Sequence, residues 1–527
     1  MNGFITLLLI AFSQLLHDEA QRPAAQVVEV EYRGITSKAD GRSAAVVKTH
    51  NKADFTVISS VGWLEPGECR ITQVPIVSTK QPRLPVVTWQ RRALTDFENL
   101  IHRARYKTRE LMSLPVGRLE PWLPLTRLSH PQNPSVAKEK PPSTTDRSSH
   151  FKQATDLMQQ AFEDGKIAGG LHLIAKNGHV VHAQTVGYRD ISQQRPFNRD
   201  TVVRIYSMSK PITSVGAMML FDRGAFQLDD PVSKFIPAFK KTSVLQKQNR
   251  TTRTVTANRE ITVRDVFRHT TGYSYGDGDA DWRQLYESQG LKYHPPHEMM
   301  PPKISIEEAS QRLASLPAHH HPGEAFTYGY STDLLGRLIE VWSGLNLDEF
   351  LEKELFEPLS MNDTGFQVTT NQLARFASCH TTEGKKLMVI DRSSTSPFTQ
   401  GFPFLSGGGG LVSTADDYLK FCQMIIQKGT YNGRVILSPQ AFEQIVQNQL
   451  GHLDGSFQFG LGFEIKNVEI GAGPRKRMTK QYSWGGYAST QFTILPDEKI
   501  VQVVLRQHVP MQSDLLNEMM KTAARAF

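Results

Sequence analysis

Apolar positions fall into distinct periodicities along this chain, and each predicts a different kind of element. Phe151–Asp164 repeats apolar residues at three- and four-residue spacing, the period of a helix with one buried face. Gly170–Lys176 and His179–Gly187 then alternate as strands do, and Asn177-Gly178 between them is the two-residue signal of a hairpin. In the helix predicted next, Ile212 to Phe221 is apolar with small residues interleaved, and Gly224 stands where a capping glycine would end it. From there to about residue 440 the pattern is helical or irregular. The chain then returns to β structure: Ser489–Leu495 and Ile500–Arg506 flank the turn Pro496-Asp497-Glu498-Lys499, and a final helix is predicted from Ser513 to Ala526. Strands at both ends with mostly helical sequence between them predict one sheet assembled from the two ends, with an inserted helical region.

The regular pattern begins only near residue 150. Before it, Val27–Tyr32 and Val86–Trp89 read as strands and Leu94–Leu111 as a charged helix. Pro75, Pro82, Pro85, Pro115, Pro121 and Pro124 interrupt the rest, and Pro131–Asp146 reads as a linker. No repeated apolar pattern closes a core there. Residues 17–149 are therefore read as a basic, partly ordered extension with a linker, or a mis-assigned start of translation, rather than a functional module. The expected main domain is 150–527.

Composition changes this picture in three places. Of 527 residues, 39% are hydrophobic and 21% charged, values of a soluble globular protein. The formal charge is +8, but residues 17–149 hold 20 Lys/Arg against 14 Asp/Glu, which leaves only +2 for the remainder and no nucleic-acid footprint. The three cysteines, Cys69, Cys379 and Cys422, are widely spaced, and no zinc-type spacing or disulfide framework is present. Met1–Leu16 is uncharged and largely apolar, and suits an export-signal core better than a membrane span. Export is the expectation, with a cytoplasmic location the alternative because no Lys or Arg precedes the apolar run. No other segment has the ~18 uninterrupted apolar residues that cross a bilayer.

The chemistry starts with Val203-Arg204-Ile205-Tyr206-Ser207-Met208-Ser209-Lys210-Pro211, a Ser-x-x-Lys at the start of the predicted helix. Residues three apart on a helix share a face, so Ser207 and Lys210 are expected to point together. A serine hydroxyl becomes nucleophilic when a neighbouring base takes its proton, and the helix N-terminus favours the negative charge that results. Pro211 is tolerated because first-turn N–H groups have no partner within the helix. Ser135/Lys138 and Ser149/Lys152 match the same spacing but lie in or beside the polar stretch His130–His150, with no apolar helix to hold them.

A second motif runs His321-Pro322-Gly323-Glu324-Ala325-Phe326-Thr327-Tyr328-Gly329-Tyr330 and leads into the apolar helix Leu334–Trp342. A loop tyrosine can act as a base if a cation holds its phenolate form, since a free phenol ionises only near pH 10. By itself the motif is also consistent with Tyr328 and Tyr330 as packing aromatics. The third motif, Tyr482-Ser483-Trp484-Gly485-Gly486-Tyr487-Ala488, precedes the last hairpin. Paired glycines allow a strand to approach a ligand closely and aim its next N–H at a developing oxyanion. Gly407–Gly410 lacks the Lys-Ser/Thr of a phosphate loop. His319-His320-His321 is expected to be a solvated loop and not a metal site, and His269 to make helix-end hydrogen bonds.

In this order and spacing, the three motifs resemble the serine β-lactamase and penicillin-binding-protein superfamily. More narrowly they resemble its class C-like esterase branch, which includes the fungal statin-side-chain acyltransferases. Intervening segments fit as well: Leu228-Asp229-Asp230-Pro231-Val232, Ile236-Pro237, Thr262-Val263-Arg264-Asp265 leading to His269-Thr270-Thr271-Gly272, Glu357-Pro358-Leu359-Ser360-Met361, and Ser406–Gly410 with the sequence to Tyr418. The resemblance implies an α+β fold: an antiparallel sheet flanked by the N- and C-terminal helices, with an inserted, mostly helical lobe and the site between them. It implies Ser207 as nucleophile, Lys210 as its activating partner and Tyr328 as base, with the backbone N–H groups of Ser207 and Tyr487 as the oxyanion hole. Trp484, Gly485 and Gly486 would contact substrate. No cofactor and no metal are implied.

Two departures bear on the substrate. Tyr330 stands where class C β-lactamases have asparagine, and Trp484-Gly485-Gly486 replaces their Lys-Thr-Gly, whose lysine holds a β-lactam carboxylate. Trp-Gly-Gly resembles the esterase branch. Tryptophan offers an apolar face and one N–H donor, with no charge. The expectation is a serine esterase or acyltransferase acting on a small-molecule ester or amide through an acyl-enzyme. The alternatives are a D,D-carboxypeptidase or β-lactamase in which another cation, such as Arg506, replaces the lysine, and a non-catalytic binding protein of the same fold.

Overall fold

The computed structural model describes residues 144–527, apart from 249–250, 277–279, 292–301, 385 and 454, and earlier in the chain the strands Val27–Ser37, Ser43–His50, Thr56–Ser59 and Val74–Pro75. Two compact units are present, Met1–Val136 and Ala137–Phe527. In the first, the four strands pair antiparallel, Val27–Ser37 lying between Ser43–His50 and Val74–Pro75. The strand expected at Val27–Tyr32 falls within the first of them. Met1–Leu16, Val86–Trp89, Leu94–Leu111, Cys69 and the Ser135/Lys138 pair lie outside the described residues.

The second unit is built on an eight-stranded antiparallel sheet. Its order is Gln458–Phe459, Glu464–Ile470, Arg477–Gly486, Thr490–Leu495, Ile500–Arg506, Gly169–Lys176, His179–Asp190 and Arg195–Pro196. The ends of the unit meet in the middle of this sheet, where Gly170 pairs with Arg506 and Lys176 with Ile500. The predicted hairpin turn is made by Asn177 and Gly178, at φ 52° and 83°, the left-handed pair that matches the twist of the flanking strands.

Ile500–Arg506 and Thr490–Leu495 are buried along their whole length, so their polar side chains lie inside the unit along with the apolar ones. The helices Thr144–Glu163 and Ser513–Ala524 cover one face, where Met158, Val504, Leu516 and Met519 pack together. The first of these helices starts earlier than expected. Its opening turns, Thr144 to His150, are polar, so the apolar period begins only at Phe151. On the other face Leu171, Leu173, Val503 and Leu505 pack with Ile212, Val215, Phe421 and Met424 of the helical lobe. Polar groups caught in the sheet pair with each other: His172 Nε2 lies 3.3 Å from Gln502 Oε1. Burial, with His182 nearby, pushes His172 down to about 3, so it is neutral at physiological pH.

Helix Ser209–Asp222 crosses this second core, and every residue from Ser209 to Leu220 is buried. It ends as the sequence indicates, with Gly224 at φ 75° and its N–H bonded to the Phe221 carbonyl. The N-terminus of that helix is thereby fixed beside the end of strand Arg477–Gly486.

Candidate active site

Ser207 does not lie in the α-helix itself. It occupies a single 3₁₀ turn, Tyr206–Met208, immediately before helix Ser209–Asp222. Tyr206 holds a left-handed backbone, φ 42°, which costs free energy for a bulky residue and must be imposed by packing. Its ring is clamped edge-on by Phe398 and Tyr487, each with centroids 6.3 Å away. The turn presents Ser207 half-buried while Lys210, one turn on, is almost fully enclosed.

The predicted trio converges. Lys210 Nζ lies 3.2 Å from Ser207 Oγ, and the Tyr328 hydroxyl lies 2.7 Å from the same oxygen. Lys210 donates further to the Gly408 carbonyl at 2.7 Å and to the Tyr275 hydroxyl at 3.0 Å. Lys210 Nζ also sits over the Tyr328 ring, 4.5 Å from its centroid. Tyr330, two residues on, is buried and donates to the Leu291 carbonyl, so it packs outside the site.

His269 backs Tyr328. It follows helix Val263–Phe267 with φ 58°, its ring lies 5.0 Å from that of Tyr328, and its carbonyl accepts the Thr327 N–H at 2.7 Å. Burial, with the nearby charge of Lys210, holds His269 well below its usual range, so it is neutral, and its Nε2 lies 3.3 Å from Thr332 Oγ1 at the start of helix Ser331–Ser343, a helix-end hydrogen bond of the kind expected. The turn before it is pinned by Asp265, whose capping box with Thr262 is joined by Arg259 at 2.5 Å and Arg268 at 3.0 Å.

Trp484 is half-buried, 5.7 Å from the Tyr328 ring and 5.2 Å from Phe459. Its indole Nε1 is buried with no hydrogen-bond partner. Phe326 and Phe457 extend the aromatic wall. Gly485 pairs with Gln491 and Gly486 with Thr490. A Cβ on Gly486 would fall under 3.0 Å from the Ile205 carbonyl, which begins the Ser207 turn, so glycine is what lets the strand lie against that turn. Tyr487 follows directly.

Other readings are revised. Arg506 cannot face a substrate: it is buried on the terminal-helix side, where its guanidinium reaches Gln512 Oε1 at 3.0 Å and burial lowers it to about 9. The three consecutive histidines are partly exposed, and each also has a partner in the structure; His321 Nδ1 accepts the Asn258 N–H at 3.1 Å. His319 stacks on Trp282 at 3.5 Å, and His320 bonds the Thr327 hydroxyl at 2.7 Å. Ser149/Lys152 lies on the exposed opening of helix Thr144–Glu163, where Lys152 pairs with Asp156 at 2.8 Å. Cys379 and Cys422 are buried free thiols. Among the described residues no cluster could hold a metal ion, and no helix is long and apolar enough to cross a membrane. Sequence reasoning missed Tyr275 and passed over Asp333. Tyr275 lies three residues beyond the His269-Thr270-Thr271-Gly272 segment, and only the fold brings it to Lys210.

An antiparallel sheet with this lobe, and a Ser-x-x-Lys turn facing a tyrosine loop and a glycine-rich strand, define a β-lactamase-like architecture. The family model for beta-lactamase matches residues 154–520, and the chain belongs to that family. It is similar to a Mycobacterium tuberculosis protein, 29% identical over 373 residues, covering 67% of this chain and 89% of that one. It is also similar to esterase EstB of Burkholderia gladioli, 25% identical over 288 residues, covering 51% and 68% respectively. Among solved structures, the simvastatin synthase of Aspergillus terreus shares the fold, with a TM-score of 0.59 and 22% identity over 72% of this chain and 97% of that one.

Proposed function

We propose that this protein is a serine hydrolase of uncharged carboxylic esters that works through an acyl-enzyme and passes the acyl group to water or to an alcohol. One observation carries the reading: Ser207 Oγ has Tyr328 OH at 2.7 Å and Lys210 Nζ at 3.2 Å. Ser207 Oγ attacks the ester carbonyl while its proton passes to the Tyr328–Lys210 pair. The tetrahedral oxyanion is received by the backbone N–H groups of Ser207 and Tyr487. Collapse breaks the ester C–O bond, and the proton held by the pair goes to the departing alcohol. Water or a second alcohol then reverses the sequence on the acyl-enzyme, with the pair again taking and returning one proton.

The esterase EstB and simvastatin synthase likenesses support ester or acyl-transfer chemistry. The wall formed by Trp484, Tyr328, Phe326 and Phe457 supports an apolar, uncharged substrate portion. The test is covalent labelling by a fluorophosphonate together with turnover of p-nitrophenyl esters. Ser207→Ala abolishes both, whereas Ser135→Ala and Ser149→Ala leave both intact. Lys210→Ala and Tyr328→Phe each lower turnover by at least ~10²-fold, and together by far less than the product. Labelling that survives Ser207→Ala would refute the assignment.

A further inference from the structure

Lys210 has two partners besides the nucleophile, and one buried carboxylate stands behind both. Asp333 lies in the first turn of helix Ser331–Ser343, where the helix dipole favours negative charge, and it is only 2% exposed. Its Oδ1 accepts the Ser406 hydroxyl at 2.5 Å and the Gly408 N–H at 3.1 Å. The Gly408 carbonyl, in the same residue, receives Lys210 Nζ at 2.7 Å. Asp333 Oδ2 faces the Tyr275 hydroxyl at 3.5 Å, a long contact, and Tyr275 meets Lys210 at 3.0 Å.

The glycine at position 408 is thereby explained. A Cβ on Gly408 would stand 2.7 Å from the Tyr275 hydroxyl and 2.9 Å from Asp333 Oδ2, so the backbone is threaded between the carboxylate and the lysine's partners. Asp333 and Lys210 form no direct ion pair. A carboxylate buried without a cation in contact is costly, and it persists here because three donors converge on it. Burial pushes the Asp333 carboxyl up, while Lys210, Ser406, the Gly408 N–H and Tyr275 pull against that rise.

We propose that Asp333 is a positioning residue for the Ser207–Lys210 pair: by gripping Ser406 and Gly408 with one oxygen and facing Tyr275 with the other, it fixes the carbonyl and the hydroxyl that hold Lys210 Nζ within reach of Ser207. The inference rests on the serine-hydrolase reading above. Asp333 acts through Lys210 and does not meet the substrate. Its loss therefore lowers the rate of acylation and leaves KM nearly unchanged, and it does so only where Lys210 is present.

The experiment measures fluorophosphonate labelling rates and p-nitrophenyl butyrate kinetics on the full chain, with active sites titrated so that misfolded enzyme is not counted. Asp333→Ala should slow labelling by ~10²-fold, the scale of a 1 Å misplacement near reacting atoms, with KM within about twofold of the wild type. Ser406→Ala, which removes one of the three donors and leaves the carboxylate, should slow it by several-fold and serves if Asp333→Ala fails to fold. In a Lys210→Ala background both changes should have almost no further effect. Folded Asp333→Ala or Ser406→Ala enzyme that labels at the wild-type rate overturns the proposal. So does a loss that is undiminished in the Lys210→Ala background. Wild-type protein that does not label at all overturns the serine-hydrolase reading itself, and this proposal with it.

Discussion

Gly486→Ala isolates the role of the strand that runs beside Ser207. Gly486 is not in the left-handed backbone region, so alanine is permitted there conformationally and acts through space alone. Its new Cβ would fall under 3.0 Å from both the Ile205 carbonyl and Thr490 Oγ1. Thr490 can turn its hydroxyl away, but the Ile205 carbonyl is the backbone that caps the Ser207 turn. Ordinary contact begins near 3.4 Å, so strand and turn must separate by about 1 Å. Overpacking of this kind costs about 1–3 kcal/mol of stability. The larger effect falls on the chemistry. If the Tyr487 N–H is an oxyanion donor, moving it by that distance costs ~10²-fold in kcat, comparable to removing one donor outright. Gly485→Ala is the comparison for strand displacement, because its Cβ would meet Met511 Cε at 2.6 Å, the free end of a flexible side chain that can yield, and the Thr490 carbonyl only at 3.3 Å. The assay is p-nitrophenyl butyrate turnover alongside thermal melting of both variants. Gly486→Ala protein that melts as a single folded species and keeps the wild-type kcat would show that this strand supplies no oxyanion donor.

Three further outcomes follow from the same geometry. Nitrocefin should be a much poorer substrate than p-nitrophenyl butyrate by kcat/KM, because Trp484 replaces a cation; equal turnover of the two would promote the β-lactamase alternative. Asp265 should make acid stability measurable: burial pushes its carboxyl up, but Arg259, the Thr262 N–H and Thr270 pull it down to about 2, below the ~3.9 of an unfolded chain. Its contribution of about 2 kcal/mol is thus complete above about pH 4 and lost as the pH falls through about 2. Asp265→Asn should therefore be less stable than the wild type at pH 7, with the gap closing towards pH 2; a gap of constant size across that range in denaturant titrations would contradict this. Trp484→Ala should raise KM for aromatic esters several-fold more than for acetyl esters, since it removes ring contacts next to Tyr328 and Phe459, and a uniform change across the series would argue against the aromatic wall as a binding surface.

The sheet was legible because its central strands carry their signal locally. Val501, Val503 and Leu505 face the helical lobe, and the Asn177-Gly178 turn declares its own geometry. Ser207, Lys210 and Tyr328 were legible for a related reason, since each belongs to a short motif whose spacing survives in three dimensions. Asp333 and Tyr275 were not. An aspartate in a helix's first turn ordinarily serves the dipole, and a tyrosine beside a glycine ordinarily packs. Their proximity to Lys210 depends on four segments, those of Lys210, Tyr275, Asp333 and Ser406–Gly408, each more than 50 residues from the next, closing over one another. The alternative in which Arg506 replaces the lysine fails on strand parity. Arg506 shares its face with Gln502 and Val504, which point at the terminal helices, so no charge in that register could reach the site.

The charges around Ser207 bear on which substrates the proposed chemistry would take. Lys210 directs its donors at Ser207, Tyr275 and Gly408, and behind it stands the buried carboxylate of Asp333. The cation is thus enclosed and already partnered, while the approach along the third motif is lined by Trp484 and its aromatic neighbours. A substrate carboxylate placed against that wall would shed water without gaining a counter-charge, at a cost of several kcal/mol. A neutral ester avoids that cost and gains from apolar contact instead. On this argument the replacement of lysine by Trp484 does more than remove a binding group for β-lactams. If the proposed chemistry holds, that side of the cleft would sort substrates by charge first and by apolar shape second.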